Sequence, residues 1–425
     1  MQTKRISLLF SLCLLLSWSL RSQCSVDLHE QISLATDSIF EKLVEVRRDL
    51  HQYPELAKEE KRTQAVIRDY LLELGLEVKT DQYGYSVIGI LQGKQPGKKI
   101  AWRADMDAIA SSFPERTSFR SKIYGIQHGC GHDIHMAIGL GIAEVLSKQK
   151  DYISGTVYFI FQPEEETFVG AKKMVEEGLF STIDPDEIYA LHVTALPAGK
   201  IMVKPAELYA YQKRIQIAFR KDFPESEAQH LYEKIKGGMF RSSSEVNPWE
   251  LRYMSDPKLG LSSPNTIFQN YRIMDANAWT TSEEDRFTIN ANLYETEEDS
   301  LKNIIPDIER IICATGNRDA LLSTTFTLQN PTVMNDEALT QSTRRIFSSI
   351  YGEDLLLPSY GQLPFFNDDF CYFQHEVPGV YLLLGGSNVE KEMVAMNHAP
   401  NFRIDEECIR VGVRSFSSLI VERLK

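Results

Sequence analysis

The stretch Thr156-Val-Tyr-Phe-Ile-Phe-Gln-Pro-Glu-Glu-Glu166 carries the chain from six consecutive β-branched or aromatic residues, through a proline, into three adjacent carboxylates. An unbroken run of this kind, four to eight residues long, reads as a strand buried on both faces, and the proline ends it. The acidic run therefore leaves the carboxyl end of a buried strand. The flanking sequence repeats the pattern. Lys99-Ile-Ala-Trp-Arg103 is a strand that runs into Asp105-Met-Asp107, and Glu187-Ile-Tyr-Ala-Leu191 is a strand that runs into His192. Helical periodicity fills the intervals over Met136 to Lys148 and Gly170 to Gly178. It also covers Thr36 to His51 and Glu60 to Leu76 upstream, with a break at Tyr53-Pro54 and a strand over Ser86 to Leu91. Strands alternating with helices predict an α/β sheet with helices on both faces. Such sheets place their sites at the carboxyl ends of strands, where these motifs fall.

From Gln212 the texture changes. Lys213 to Phe219 alternates apolar and polar residues, and a helix follows over Glu225 to Lys236. A polar loop with Ser242-Ser-Ser244 and several prolines comes next, then a strand from Arg286 to Leu293, a helix from Glu298 to Cys313 and a strand over Leu322 to Leu328. This predicts a small α+β unit, residues 212–328, inserted between catalytic segments 26–211 and 329–425, with crossings near 207–212 and 328–332. The α/β pattern resumes with a strand at Val380 to Leu384 and a terminal helix from Asp405 to Leu424.

Four short segments hold the chemistry: His128-Gly-Cys130-Gly-His132-Asp133, the carboxylates Glu164 to Glu166, His192, and Asn397-His398. Thiolate, imidazole and carboxylate are the donors that borderline divalent metals take. Cys130 and His132 stand two apart among glycines, which free the backbone to aim both at one point. Asp133 is a candidate for orienting a ligating imidazole. Adjacent carboxylates at a strand end can divide labour, one binding metal while its neighbour acts as base. No single motif is decisive, since a lone C-x-H, an acidic loop or an isolated histidine is each common. Their conjunction at strand ends carries the reading.

The bulk sequence sets the frame. At 425 residues, with 43% hydrophobic and 25% charged content, the chain has the composition of a soluble enzyme of two or three domains. Its net charge of -13 offers no basic stripe for nucleic acid. Lys4 and Arg5, an apolar run from Ile6 to Leu20, and Ser22-Gln-Cys24-Ser25 read as a signal peptide over residues 1–25. The run falls short of the about 20 residues a membrane span needs. The expectation is export to the periplasm or the exterior, with lipid anchoring at Cys24 disfavoured by Gln23. Of six cysteines, Cys130 has a ligand context. Cys313, Cys371 and Cys408 are too scattered for a disulfide framework and read as buried apolar residues.

Beyond these readings, the chain resembles the N-acyl-amino-acid amidohydrolases, the hippurate hydrolases and indole-acetyl-amino-acid hydrolases of the two-metal carboxypeptidase and aminoacylase clan. The likeness rests on Arg47-Arg-Asp-Leu-His-Gln-Tyr-Pro-Glu-Leu, Arg103-Ala-Asp-Met-Asp-Ala, His128-Gly-Cys-Gly-His-Asp, Phe161-Gln-Pro-Glu-Glu-Glu and Pro378-Gly-Val-Tyr. It implies a two-metal aminopeptidase- or carboxypeptidase-like catalytic domain with an inserted α+β lid that often also pairs subunits as a homodimer. It also implies two divalent ions, Zn²⁺ or Mn²⁺, on Cys130, His132, Glu166, His192 and His398. Glu165 is then the general base and Asp107 an orienting carboxylate, and the substrate is a small N-acyl amino acid or peptide. The chain departs from the family pattern, in the lid and near the C-terminal strand. Phe219-Arg-Lys-Asp-Phe-Pro-Glu-Ser-Glu-Ala stands where a histidine-bearing stretch is usual, Trp279-Thr-Thr-Ser where Asn-Val-Ile-Pro is usual, and Asp368-Asp369-Phe370 where Glu-Asp-Phe is usual. Arg220, Lys221 and Arg241 are the cations that could replace the missing lid group. Two alternatives stand beside amide hydrolysis of N-acyl amino acids: a dipeptidase or carboxypeptidase, and a non-catalytic metal-binding protein with a degenerate lid.

Overall fold

The computed structural model describes the backbone of residues 3–425 and side chains from Leu28 onward. The export-signal reading, with Cys13 and Cys24, falls on residues before the first described side chain. Among those described, no helix is long and apolar enough to cross a membrane.

The largest sheet among the described residues has eight strands. Their order is Glu77–Thr80, Val87–Gln92, Ser154–Gln162, Gln95–Asp105, Glu187–Pro197, Gly379–Ser387, Ile201–Met202 and Leu356–Leu357. The four strands from Ser154–Gln162 to Gly379–Ser387 are parallel to one another, and antiparallel pairings lie toward the margins. Their apolar runs are continuous because each strand feeds two cores. Trp102, Phe159, Phe161, Tyr189 and Leu382 pack on one face with the helices Thr3–Gln52, His132–Lys148 and Glu407–Arg423. Ala101, Ile160, Ile188 and Leu383 pack on the other with Met174, Leu179 and Phe373 of three short helices. A side-chain period of two divides such a strand between opposite faces.

A second sheet is antiparallel. It runs Arg272–Met274, Arg286–Glu295, Tyr211–Arg220, Leu321–Leu328, with Trp279–Ser282 also paired to Arg286–Glu295. Ile215, Ile217 and Phe219 point to the helices Glu225–Met239 and Ile304–Ala314, against Leu231, Ile235, Ile304, Ile308 and Ile312. The alternate residues Gln212, Arg214 and Gln216 are half-buried on the opposite face. Where the chain passes between the two sheets, Ala206–Glu207 pairs antiparallel with Met334–Asn335 and ties the crossings together.

Four local expectations differ from the structure. The helix expected from Glu298 is 3-10 over Glu298–Asn303 and α-helical only from Ile304. Pro306 has no N–H and fits only the first turn of an α-helix, which sets that start. The helix expected from Met136 begins at His132, because Gly131 at φ 99 turns the chain into it. The polar loop after Ser244 is anchored by its few apolar residues. Met254, Leu261, Ile267 and Phe268 are buried in the core of the large sheet, not in that of the second sheet. Cys371 and Cys408 are buried, whereas Cys313 is exposed, since Ile304, Ile308 and Ile312 form the inward stripe of its helix.

Candidate metal centre

The parallel register brings the motif segments to one edge of the large sheet. Asp105 pairs with Gln162, so the segments after both strands leave side by side. His192 lies on the next strand, opposite Leu383. Gly131 admits no side chain, since a Cβ there would lie 2.5 Å from Val193 Cγ1. Its positive φ places Cys130 before the helix and His132 at the helix start. His398 and Glu164 also take left-handed backbone, at φ 57 and 62. Such strain in non-glycine residues persists only where the surroundings impose it. At His398 the imposing groups are visible: its N–H donates to Gly129 O at 3.0 Å, and Asn397 Nδ2 donates to Cys130 O at 2.7 Å and Val193 O at 3.1 Å.

The five proposed ligands meet. Cys130, His132 and His192 present donor atoms within 4.8 Å of one another, as do Cys130, Glu166 and His398. Cys130 is common to both groups. Its Sγ is 3.3 Å from His192 Nε2, and His398 Nε2 is 3.1 Å from Glu166 Oε1. Glu165 belongs to a third group, with His132 Nε2 3.7 Å from its Oε2 and 3.8 Å from Glu166 Oε1.

These residues fit divalent ions by their hydrogen bonding. His132 Nδ1 donates to Asp107 O at 2.8 Å and His192 Nδ1 to Val193 O at 2.8 Å. Each bond fixes the tautomer and turns an Nε2 lone pair toward the cluster. His132 Nε2 is fully buried and has no hydrogen-bond partner among the described residues, a cost that a metal removes. Asp107, fully buried, accepts from Glu165 N at 3.1 Å and Glu166 N at 3.0 Å through its two carboxylate oxygens, so it holds the pair of glutamates from behind.

Charge in the cluster is unbalanced. Burial, then the carboxylates Asp368 and Glu166, push Glu165 well above the usual carboxylate range. Burial and the same glutamates also push the Cys130 thiol well up. For His132 burial acts downward, but Asp105 and Asp107 outweigh it and raise the ring to about 10. Glu166 is lowered despite its burial, by the hydrogen bond from His398 and the charge of His132. A divalent cation would relieve this excess of carboxylates and displace the protons it retains.

The structure corrects two expectations. Asp133 does not orient a ligating histidine. Its Oδ2 lies 2.8 Å from His51 Nδ1 and 2.7 Å from Arg47 Nε. Adjacent helical residues point about 100° apart, which turns Asp133 away from the face of His132. The orienting acceptor is instead the Asp107 carbonyl. Nor do Arg220, Lys221 or Arg241 reach the centre. Arg220 pairs with Asp222, Lys221 with Ser282, and Arg241 with Glu295. The lid cation in the cleft is Arg214, six residues and about 20 Å before Arg220 along the strand. Its Nε donates to Asn292 Oδ1 at 3.1 Å and its guanidinium lies 5.6 Å from the Trp279 ring, with no carboxylate in ion-pair range among the described residues.

Sequence reasoning also missed a buried network beneath Glu165. Arg103 binds Asp105 at 2.6 Å and both Asp368 and Asp369 at 3.1 Å, and Gln162 Nε2 donates to Asp369 at 2.7 Å. Tyr381 donates to Asp368. Its members stood in the quoted motifs, but nothing in their spacing says that Arg103 meets Asp368 and Asp369. His135, a neighbour of the ligands in sequence, is satisfied elsewhere. Its Nδ1 lies 2.7 Å from Asp105 Oδ1, and its Nε2 accepts from Val193 N at 2.9 Å.

A cleft of ≈ 550 Å³ opens onto Cys130, Glu165, Glu166, His192 and His398, and the second sheet lines it through Gln212, Arg214 and Leu328. A cluster of thiol, imidazole and carboxylate groups at the strand ends of an α/β sheet, facing an inserted second sheet, defines a metal-dependent hydrolase. The chain belongs to peptidase family M20/M25/M40, whose profile matches residues 101–422. Among its relatives, thermostable carboxypeptidase 1 of Saccharolobus solfataricus is 28% identical over 410 residues, covering 93% of this chain and 99% of that one. N-acetylcysteine deacetylase of Bacillus subtilis is 27% identical over 408 residues, covering 91% and 98%. In fold, the chain matches a Bacillus subtilis structure described as a dinuclear metal-binding peptidase of the M20 family. The TM-score is 0.73 at 24% identity, covering 91% of this chain and 99% of that one.

Proposed function

We propose that this metal-dependent hydrolase cleaves the amide bond of N-acyl amino acids or small peptides in the cleft between its two sheets. Cys130, His132 and His192 would hold one divalent ion and Cys130, Glu166 and His398 a second, with Zn²⁺ or Mn²⁺ suited to this mixed donor set. Bound there, the ions would supply Lewis-acid polarisation and a more acidic water. Glu165 takes the proton of the attacking water and delivers it to the leaving nitrogen. The observation that carries the reading is the placement of this carboxylate. Glu165 Oε2 lies 3.7 Å from the unpartnered Nε2 of His132, and Asp107 fixes its backbone.

The remaining polar and apolar groups of the cleft give the substrate its orientation. Arg214, which makes no direct ion pair among the described residues, is suited to the free carboxylate of an N-acyl amino acid. Phe168, Tyr209, Leu251, Phe365 and Phe366 form an apolar wall for the acyl or side-chain group. The second sheet acts as a lid whose approach excludes water from the ions. Its outer strand Leu321–Leu328 has a neighbour on one side only, an edge on which two chains can pair as a homodimer. Residues 1–25 direct the chain out of the cytoplasm and are removed.

Substitution tests the assignment. Glu165→Gln is expected to keep both ions and the fold and to lower turnover by about 10²–10⁴-fold. Glu166→Ala is expected to lose one ion. If Glu165→Gln empties the site, the two roles are exchanged.

A further inference from the structure

A second cavity, of ≈ 480 Å³, lies beside the metal cleft, and His398 belongs to the walls of both. Two guanidinium groups line it, Arg116 and Arg403, and among the described residues neither has a carboxylate in ion-pair range. Of the two carboxylates in its walls, Glu115 is already bound, to His51 Nε2 at 2.6 Å and Ser121 N at 2.8 Å. Glu392 is exposed at the rim. His128 completes the wall. It is 1% exposed, and neither of its ring nitrogens has a hydrogen-bond partner among the described residues.

A neutral imidazole carries one N–H and one lone pair, and an N–H buried without an acceptor costs about 1–3 kcal/mol. Unpaired arginines beside such a donor make a site for an oxyanion, for which the guanidinium fork is shaped. We infer that this cavity is a carboxylate-binding subsite, held by Arg116, Arg403 and His128 and reached from the metal cleft past His398. Its occupant is the acyl carboxylate released by hydrolysis. That source rests on the amidohydrolase reading, whereas the binding does not. Each turnover breaks one C–N bond with one water and leaves one carboxylate and one amine. An acyl carboxylate carries no ammonium group, so two free guanidinium groups suit it better than they suit a zwitterionic amino acid.

The experiment is calorimetric titration of benzoate into the metal-loaded protein, with glycine, inorganic phosphate and neutral benzamide in parallel. Two benzoates per chain are expected, one at the ions and one in the second cavity, and the double variant Arg116→Gln/Arg403→Gln should bind one. In the unaltered protein, benzoate and not benzamide should shift the ring resonances of His128, a readout that needs no substitution. One benzoate per unaltered chain, or two retained by the double variant, overturns the subsite. Glycine or phosphate competing at that site as tightly as benzoate overturns the acyl-product assignment. A protein that binds the second benzoate through Arg116 and Arg403 but hydrolyses no amide keeps the subsite and refutes the amidohydrolase reading. The reverse result refutes the subsite alone.

Discussion

Asparagine in place of Asp107 is expected to cost the protein one of two metal ions. The carboxylate is fully buried and makes two side-chain hydrogen bonds, to Glu165 N at 3.1 Å and Glu166 N at 3.0 Å. His132 Nδ1 donates to the Asp107 backbone carbonyl at 2.8 Å, a bond that survives any substitution, and lies 3.4 Å from the carboxylate Oδ1. Asparagine keeps one acceptor and turns an amide NH₂ toward the other N–H. The loss is one charge-assisted hydrogen bond, about 1.5–3 kcal/mol, and the glutamate segment shifts to relieve the donor-to-donor contact. That corresponds to about a 10–100-fold weaker ion on Cys130, Glu166 and His398. The ion on Cys130, His132 and His192 should hold close to its original affinity, because the tautomer of His132 is still fixed. Competition against a calibrated chelator, with metal counted in the same samples, separates the two steps. Loss of both ions together, or of neither, would refute the argument that Asp107 acts through the backbone of residues 165 and 166.

Two further substitutions probe the groups around the centre. Arg214→Gln should raise KM about tenfold or more for N-acyl amino acids with a free carboxylate and leave the matching neutral amides within about twofold, as expected for one charge-assisted contact. Equal effects on both would mean that Arg214 does not read the carboxylate. Glu60 gives the pH-dependent case. It is fully buried, its Oε2 has no partner, and burial raises it from 4.5 to about 7. A folded-state pKa above the unfolded one means that the native chain binds the extra proton. The Glu60 contribution to stability is therefore fully present below about pH 4.5 and is lost as pH rises through about 7, by at most about 3 kcal/mol at 1.36 kcal/mol per unit. Glu60→Gln keeps the acceptor for Glu164 N and should stabilise the protein at pH 8 but not at pH 4, measured by denaturant unfolding. Stabilisation that is independent of pH would contradict the assignment.

The sheet and its site edge were legible in the chain because buried parallel strands have a strong signature: Thr156 to Phe161 can only be a strand with two covered faces. The clustering of Cys130, His132, Glu166, His192 and His398 was legible because few residue types carry thiol, imidazole and carboxylate donors, while the choice of Glu166 over its neighbours came from the family resemblance. Less legible were contacts made by backbone or across long separations. Asp107 O on His132, and Asn397 on Cys130 and Val193, depend on turns that no periodicity encodes. Asp133 misled because adjacency in sequence is not adjacency on a helix. Arg214 was passed over because an alternating lid strand shows two faces but not which one meets the cleft. The residues near Met254 and Phe268 read as loop because sparse apolar anchors leave no period.

The central claim is that the clustered thiol, imidazole and carboxylate groups form a metal centre that hydrolyses amides. The most direct measurement is turnover of a panel of N-acyl amino acids and dipeptides by protein whose metal content is determined on the same sample, before chelation, after it, and after Zn²⁺ or Mn²⁺ is restored. Two ions per chain are expected, with turnover that disappears when they are removed and returns when they are replaced. A folded chain holding both ions that cleaves no amide in the panel, or one whose cleavage survives complete chelation, would contradict it.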